Sequence, residues 1–593
     1  MQPTAAPERP PARPVRSRLG SLDTLAKVLL GLIACLVIYP IARSVIGIFT
    51  DTATADGQAA TEGIDSSILP VLGNTALMVG GGSLLALIGG ATLAWINERT
   101  DGSFRGLGGF MPVAPLLLPG ITGVLGWVVL LDPRVGLANG VLRDILGLIG
   151  IHPNEGPIDL YSMGGLIVVT GLHLVPIVYL VVSAALKNLD PAIEEASRIS
   201  GARPLRTALR VTLPAIAPAL ARGWLLGVIN GIGLFTVPVI IGTNARIEVV
   251  SVRIWRLLTN YPSRPDAALL LAAGMLVVIL ALTLVQRYLI PSGRQATISG
   301  RGVRAAPLRL GKLRHVARLL VIAYLLVALV LPILGLLIVS FSPFWSSSVP
   351  WSHLTTANFE FVLSDLSAFS ALGNSLILAA VVASLAMLVT GFLMLNAHQR
   401  KGQDGQRRGG KKPKHQHGDS RRQKLVDTVT TLPATVPHSL IGVSFILAFG
   451  GAPFNLYGTV FILLLAYFTM EIPYAANSAS AAVGVVGNEL GEASRIFGAS
   501  ERRTLRKILL PLVLPGLAAG WVLVFIHVLG EVTVSSMLSG VSNPVVGSVL
   551  LDMWTQGNFP RMTAFAIIIW LIASLAVLIM LRLSNRRFTR ATS

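Results

Sequence analysis

The chain has 593 residues, of which 53% are hydrophobic and 13% are charged, and its formal net charge is +20. A water-soluble domain carries about 25% charged residues, so this composition excludes a soluble globular protein. The excess of Lys and Arg is typical of the cytoplasmic loops of membrane proteins and does not require a nucleic-acid partner. A single cysteine, Cys35, excludes a disulfide framework and a cysteine-based metal site.

Twelve apolar segments are long enough to cross a bilayer as helices, for which about 20 residues are needed. In the first half of the chain these segments cover residues 25–49, 70–96, 107–131, 162–186, 214–241 and 267–290. In the second half they cover residues 316–341, 373–396, 426–449, 456–479, 511–538 and 562–583. The sequence therefore predicts an all-α polytopic membrane protein with twelve transmembrane helices.

The segments between the spans divide the chain into two units. The predicted division is a disordered tail at 1–24, a first unit at 25–290, a linker at 291–315, a second unit at 316–585 and a tail at 586–593. The second unit contains a basic, low-complexity insertion at 398–424. Tails, linker and insertion are rich in Lys and Arg and, with twelve spans, share one side, so both termini are predicted to be cytoplasmic.

One loop conflicts with this orientation. Residues 242–266 fall on the outer side and yet contain Arg246, Arg253, Arg256 and Arg264. Because Trp255 lies among these arginines, a short helix at the membrane interface would explain the loop.

The two units repeat each other. Residues 194–202, Glu-Glu-Ala-Ser-Arg-Ile-Ser-Gly-Ala, return 297 residues later as 491–499, Gly-Glu-Ala-Ser-Arg-Ile-Phe-Gly-Ala. At the same offset, Thr207 falls on Thr504. Each unit has six spans, an even number, so both units enter the membrane from the same side and the repeat is parallel.

The repeated polar segments, 188–213 and 485–510, are called here the first and second handles. Each is predicted to form a short helix, a glycine turn and a second short helix at the inner surface. In the first handle Asp190 and Pro191 suit a helix start, and Gly201 ends that helix. A helix that merely anchors a loop needs apolar and basic residues. An acid, a small Ala and a Gly at one spacing in both units instead favour the docking of a two-fold partner.

The pattern Glu-Ala-Ser-Arg-x-x-Gly-Ala, followed by Leu-Pro, resembles the cytoplasmic loop of binding-protein-dependent ABC importer permeases. The fusion of two such units resembles the ferric-iron type of permease. The resemblance implies the type I ABC importer permease fold in a bacterial inner membrane. It also implies that the handles couple the chain to an ATPase through six residues, Glu195, Ala196, Gly201, Glu492, Ala493 and Gly498.

The partners implied by this resemblance are two copies of an ABC ATPase subunit and an extracytoplasmic substrate-binding protein. The chain itself would not be an enzyme and would bind no cofactor, since ATP and Mg²⁺ would be held by the ATPase subunits. This agrees with the absence of a Gly-x-x-x-x-Gly-Lys-Ser/Thr sequence, which cradles phosphates in nucleotide-binding proteins.

Four ionisable residues within predicted spans are candidates for the substrate path, because a charge there is costly and commonly functional. They are His173, Glu471, His527 and Glu531. Two imidazoles and two carboxylates could line the path of a cation, and oxygen ligands suit ferric iron in passage, but no resident metal is expected. The structural alternative is that both carboxylates hydrogen-bond to backbone near Pro473 and Gly530.

Ferric iron is the cargo that the fused type of permease favours, and thiamine, 2-aminoethylphosphonate and polyamines remain alternatives. An ion-coupled secondary transporter is the alternative from a different class, since it too can have six-plus-six spans. Two matched handles and a small number of buried acids argue for the ATP-driven importer.

Overall fold

The computed structural model describes residues 19–51, 68–104, 109–289, 307–407, 419–484 and 499–591, together with residues 486, 490, 493, 494 and 497. Helices make up most of these residues, which include no β-strand and a single β-bridge, between Thr100 and Leu308. The predicted all-α architecture is confirmed. Residues 408–418 of the basic insertion, most of the linker, and residues 1–18 and 592–593 of the tails lie outside the described residues.

The described part of the first unit contains ten α-helices of four or more residues. They are α1 (Leu19–Asp51), α2 (Ile68–Arg99), α3 (Gly120–Leu131), α4 (Leu137–Leu148), α5 (Met163–Asn188), α6 (Pro191–Ile199), α7 (Pro204–Thr207), α8 (Ala217–Gly233), α9 (Val250–Thr259) and α10 (Pro265–Leu289). The longer of these helices consist mainly of apolar residues, which a helix that crosses a bilayer requires.

The second unit repeats the pattern with twelve helices in its described part. They are α11 (Leu313–Leu325), α12 (Leu331–Ser340), α13 (Ala357–Ser364), α14 (Leu366–Arg407), α15 (Asp419–Thr431), α16 (His438–Phe449), α17 (Val460–Gly484), α18 (Glu501–Thr504), α19 (Leu510–Leu529), α20 (Ser535–Leu538), α21 (Val546–Thr555) and α22 (Phe559–Ala591). A π-helical turn joins α11 to α12, so that the two form one span.

Within the described residues, nine helices are long and apolar enough to cross a membrane. Two further spans are bent pairs: Leu205–Ala215 meets Ala217–Gly233 at 71°, and Lys424–Thr435 meets His438–Phe449 at 93°. Counting each bent pair as one span gives eleven. The predicted span 107–131 contains only the shorter helix α3, so a count of twelve is not reached by helix length.

Proline explains the breaks within the predicted spans 107–131 and 426–449. Pro119 immediately precedes α3, and Pro437 immediately precedes α16. Proline lacks the N–H needed by a preceding helical turn, but it suits the start of a new helix. Hydropathy continues through both prolines, and for that reason the sequence predicted one straight span in each place.

Two predicted spans also end earlier than expected. Span 214–241 stops being α-helical at Gly233, and span 511–538 stops at Leu529. The chain then turns back into the protein, where Val237, Ile240 and Ile241 are fully buried. An apolar run that continues into a buried re-entrant segment cannot be told from a longer span by hydropathy alone.

In the first unit, the re-entrant segment is held by the start of α2. Asn74 Nδ2 donates to the Glu248 carbonyl at 3.1 Å, and Thr75 Oγ1 accepts the Val250 N–H at 3.0 Å. Val250 is the first residue of α9, so Thr75 satisfies one of the N–H groups that a helix start leaves unpaired.

The second unit uses the same contacts. Asn374 Nδ2 donates to the Pro544 carbonyl at 2.9 Å, and Ser375 Oγ accepts the N–H of Val546, the first residue of α21, at 2.8 Å. The repeat therefore extends from the sequence to individual hydrogen bonds. Helix α21 was not anticipated from the sequence.

The arginine-rich loop contains the short helix that was expected, α9. Its face with Val250, Val252 and Ile254 is buried against helices of both units. Arg253 and Arg256 form ion pairs with Glu248 at 3.1 and 3.2 Å. These pairs neutralise part of the charge that conflicted with the positive-inside rule.

The first helix of each unit lies against the other unit. Helix α1 packs on α14, α15 and α16, and Tyr39 contacts Phe449 with ring centroids 5.6 Å apart. Reciprocally, α12 packs on α3. One apolar core therefore includes residues of both units, and the boundary between units along the chain is not a boundary in packing.

Candidate functional site

The first handle has the predicted helix–turn–helix form. Asp190 Oδ1 accepts the Ala192 N–H at 2.9 Å, which caps the start of α6 as expected. Glu195 and Ala196, two of the three predicted coupling residues, are exposed on this helix. Their side chains are therefore accessible to a partner.

The third predicted residue, Gly201, makes the turn. Its φ is +80°, a left-handed conformation that favours glycine. No atom lies within 4 Å of the position that a Cβ would take, so conformation alone, and not space, selects glycine here. The turn sends the chain into α7, and the Ser197 and Thr207 hydroxyls close the hairpin at 3.0 Å.

The second handle repeats this closure in its described residues. Ser494 and Thr504 hydroxyls lie 2.8 Å apart, and both residues are buried. Ala493 is helical and exposed, as is its equivalent in the first handle. The predicted coupling residues Glu492 and Gly498 lie outside the described residues.

Arg99 and Glu194 form a contact that sequence reasoning missed. The Arg99 Nη1 atom lies 3.4 Å from Glu194 Oε2, and Thr212 Oγ1 donates to Glu194 Oε1 at 2.6 Å. Glu194 was not among the predicted coupling residues. The signal available in the sequence was a charged residue, Arg99, at the end of a long apolar segment.

The predicted path residues His173 and His527 converge from different units. Both are accessible, and His527 exposes 42% of its side-chain surface although it lies among the helices. His173 and also His438, the first residue of α16, lie within electrostatic range of His527. Three imidazoles, one from the first unit and two from the second, therefore lie near one another, and the accessible space beside them is called here the cleft. His438 had not been singled out from the sequence.

Glu471 lies behind His527 and is almost fully buried. Its Oε1 atom is 3.3 Å from His527 Nδ1, and its side chain is 2% exposed. Its Oε2 atom has no hydrogen-bond partner among the described residues. A buried carboxylate oxygen without a partner is energetically costly, and an ionisable group placed at such a cost within a span is commonly functional.

Glu531 makes different contacts from Glu471. Its two carboxylate oxygens accept the N–H groups of Val534 and Ser535 at 2.8 and 2.9 Å, at the start of α20. The contacts of Glu531 are therefore those of the structural alternative, in which its carboxylate hydrogen-bonds to the backbone near Gly530. Gly530 itself lies against Pro119 of the first unit, where an added Cβ would come within 2.6 Å of the proline ring.

A cavity of about 480 Å³ lies at the end of α5 opposite the first handle. Its walls come from both units and include Asp132, Tyr161, Trp345, Trp554 and Phe559. The Tyr161 hydroxyl donates to Asp132 Oδ2 at 3.1 Å. Burial, and then the nearby Asp132 charge, raise the pKa of Tyr161, so its phenol stays protonated at neutral pH.

No group of three His, Cys, Asp or Glu side chains in the described part of the chain could hold a metal ion.

Two stretches of the chain, residues 149–295 and 417–590, match the family model described as "Binding-protein-dependent transport system inner membrane component". Together they cover more than half of the chain, with one match in each unit. The chain belongs to this family. It is a fused two-unit ABC permease, a polytopic membrane protein that serves as the permease component of an importer.

Curated relatives of the permease carry out transport of different substrates. The permease is 24% identical to the ferric transport system permease protein FbpB of Actinobacillus pleuropneumoniae over 553 residues, 92% of this chain and 76% of the relative. It is 25% identical to FbpB 1 of Haemophilus influenzae over 512 residues, 85% of this chain and 75% of the relative. The spermidine/putrescine permease protein PotC of Haemophilus influenzae is 36% identical over 125 residues, 21% of this chain and 48% of PotC.

Proposed function

We propose that this permease imports ferric iron with energy from ATP that is hydrolysed on two separate ATPase subunits. The observation that carries the coupling is the pair of handles, since the same Ser–Thr hydrogen bond closes both hairpins, at 3.0 Å in one and 2.8 Å in the other. Equivalent surfaces suit equivalent partners, as in an assembly with a two-fold arrangement. The cargo is favoured by the FbpB relatives, whose similarity extends over most of the chain.

The handles are connected to the cleft by continuous chain. The second handle leads through Leu505–Leu509 directly into α19, which carries His527 near its end. The first leads through Leu213–Ala215 into α8. Closure of the ATPase pair would move the handles together, tilt α8 and α19 and thereby change the access to the cleft.

The cleft chemistry is compatible with a metal cation. Imidazole and carboxylate groups are both ligands for iron, and His173, His438, His527 and Glu471 supply them from both sides of the cleft. A binding protein would deliver the cargo at the end opposite the handles. Because few ligands would contact the ion at once, its binding would be weak enough for it to leave again, which a conduction path requires.

A polyamine is the second candidate cargo. The likeness to PotC is stronger in identity, 36%, but extends over only 21% of this chain. The short shared stretch supports a common coupling machinery more than a common cargo.

The test is reconstitution of the permease with its ATPase and binding protein in proteoliposomes. We expect ATP-dependent uptake of radiolabelled ferric iron and none of spermidine. Gly201→Asp combined with Gly498→Asp is expected to abolish uptake and release the ATPase. Uptake that persists without ATPase subunits would establish an ion-coupled carrier instead, and uptake of spermidine alone would reassign the cargo.

A further inference from the structure

The guanidinium group of Arg99, at the end of α2, contacts the end of α5 and a residue of α6. Arg99 is the last residue of α2, and only 6% of it is exposed. Its Nη2 atom donates to the carbonyls of Leu186 and Leu189, at 2.6 and 2.9 Å, where α5 ends. Its Nη1 atom lies 3.4 Å from Glu194 on α6, the helix of the first handle. Arg99 thus ties the first handle to two membrane spans.

Glu194 is held from a second side. Thr212, at the other end of the first handle, donates its hydroxyl to Glu194 Oε1 at 2.6 Å. The Glu194 side chain is 15% exposed, so the ion pair is largely shielded from water. The loss of one partner of such a buried pair is strongly destabilising, because the other charge is then buried without a partner.

The turn that contains Arg99 also binds the chain that enters the second unit. The Leu308 N–H donates to the Arg99 carbonyl at 2.8 Å, and the Asp101 N–H donates to the Leu308 carbonyl at 3.1 Å. The Asp101 side chain then accepts the Leu310 N–H at 3.0 Å. Leu308 and Leu310 directly precede α11, the first helix of the second unit.

The second unit has none of the three side chains that form this contact. Near Arg99 the two units are offset by 300 residues, as Asn74 and Asn374 are, so Gln399 occupies the place of Arg99. At the offset of 297 that relates the handles, Gly491 occupies the place of Glu194 and Leu509 that of Thr212. Glycine supplies no carboxylate, so this ion pair is not available at the equivalent positions. The two handles therefore share their hairpin closure but not the three side chains that attach the first handle to α2 and α5.

We propose that Arg99 and Glu194 are positioning residues that make the two handles mechanically unequal. The first handle moves as one body with the ends of α2 and α5 and with the start of the second unit. It therefore transmits ATPase movement to both units, whereas the second handle acts on its own unit. This inference rests on the proposed function, in which the handles dock ATPase subunits.

The experiment compares the full reconstituted transporter with Arg99→Gln, Glu194→Gln and the double variant. Glu194→Gln keeps the shape of the side chain and an acceptor for Thr212 but removes the charge. Gln399→Ala is the matched control in the second unit. Two quantities are measured: cargo transported per ATP hydrolysed, and hydrogen–deuterium exchange of Pro191–Ile199 in the full chain.

We expect each single variant to reduce cargo per ATP at least fivefold and to speed exchange of Pro191–Ile199. The double variant should be no worse than Arg99→Gln, because the ion pair with Glu194 is already lost in that variant, and Gln399→Ala should change neither quantity. Unchanged exchange, or faster exchange with an unchanged ratio, would overturn the inference while leaving ATPase docking intact. Failure of the unmodified chain to bind an ATPase would instead refute the proposed function, and this inference with it.

Discussion

The hydroxyl groups of Ser197 and Thr207, ten positions apart in the sequence, lie 3.0 Å apart and close the hairpin of the first handle. The equivalent pair in the second handle, Ser494 and Thr504, lies 2.8 Å apart. Because hydrogen bonds that recur in both units fix the shape of both handles, these contacts provide the most direct tests of what the handles do.

Replacing Thr207 with Val removes the hydrogen bond but keeps the size of the side chain. A hydrogen bond of this kind contributes about 0.5–1.5 kcal/mol, so we expect roughly 2- to 10-fold weaker ATPase binding. Thr504→Val should act equally, and Thr207→Ser should retain binding. The measurement is the affinity of the ATPase for the permease in nanodiscs, and equal affinity of Thr207→Val and the unmodified chain would contradict a role of the hairpin.

Gly201→Ala should distort the turn of the first handle. A non-glycine residue in the left-handed region costs roughly 1–2 kcal/mol, which corresponds to about 5- to 30-fold in ATPase affinity. Gly201→Asn should be milder, since Asn tolerates this conformation better. Gly73→Ala is the control, because Gly73 also has open space around it but lacks a positive φ. An equal effect of the Ala and Asn variants would show that the backbone conformation is not what matters.

Glu471→Gln should impair transport without affecting ATPase binding. The contact with His527 at 3.3 Å is buried on the Glu471 side, and hydrogen bonds to charged groups contribute about 1.5–3 kcal/mol. We expect cargo uptake to fall roughly tenfold or more. Thr469→Val is the matched control, since Thr469 is buried nearby on the same helix and its hydroxyl donates to the Leu465 carbonyl of that helix. Normal uptake by Glu471→Gln would remove Glu471 from the path.

Thr75→Val should destabilise the first unit. It leaves the Val250 N–H, at the start of α9, without its acceptor, and an unsatisfied buried donor costs about 1–3 kcal/mol. We expect a melting temperature lower by about 2–4 °C per kcal/mol, measured in detergent by intrinsic fluorescence. Ser375→Ala should act in the same way on α21, whereas Thr75→Ser should retain the hydrogen bond and the melting temperature. A Thr75→Val protein as stable as the unmodified chain would show that this contact is dispensable.

The repeat and the form of the first handle were accessible from the sequence. Asp190 caps α6 and Gly201 makes the turn as expected, because capping and left-handed turns depend on residues a few positions apart. The number and shape of the spans were less accessible. The 93° bend before His438 and the early end of α8 at Gly233 follow from how apolar segments fold back into the protein.

The groups in the cleft illustrate the same limit. Glu471 and His527 could be picked out because a charge within an apolar span is unusual. Their 3.3 Å contact could not, nor could the convergence of His438 on them, since these residues belong to three different helices. Glu531 was grouped with them by sequence, but its carboxylate binds the backbone of α20.

The sequence by itself determined that this protein is helical, lies in a membrane, consists of two repeated units and exposes a polar hairpin in the first unit. These properties follow from composition, from local periodicity and from similarity between segments, all of which can be determined from the sequence. Only the tertiary structure decided that each unit's first helix packs on the other unit and that Arg99 binds Glu194. Such contacts join residues about 90 or more positions apart, and their formation depends on the packing of whole helices, which local sequence does not encode.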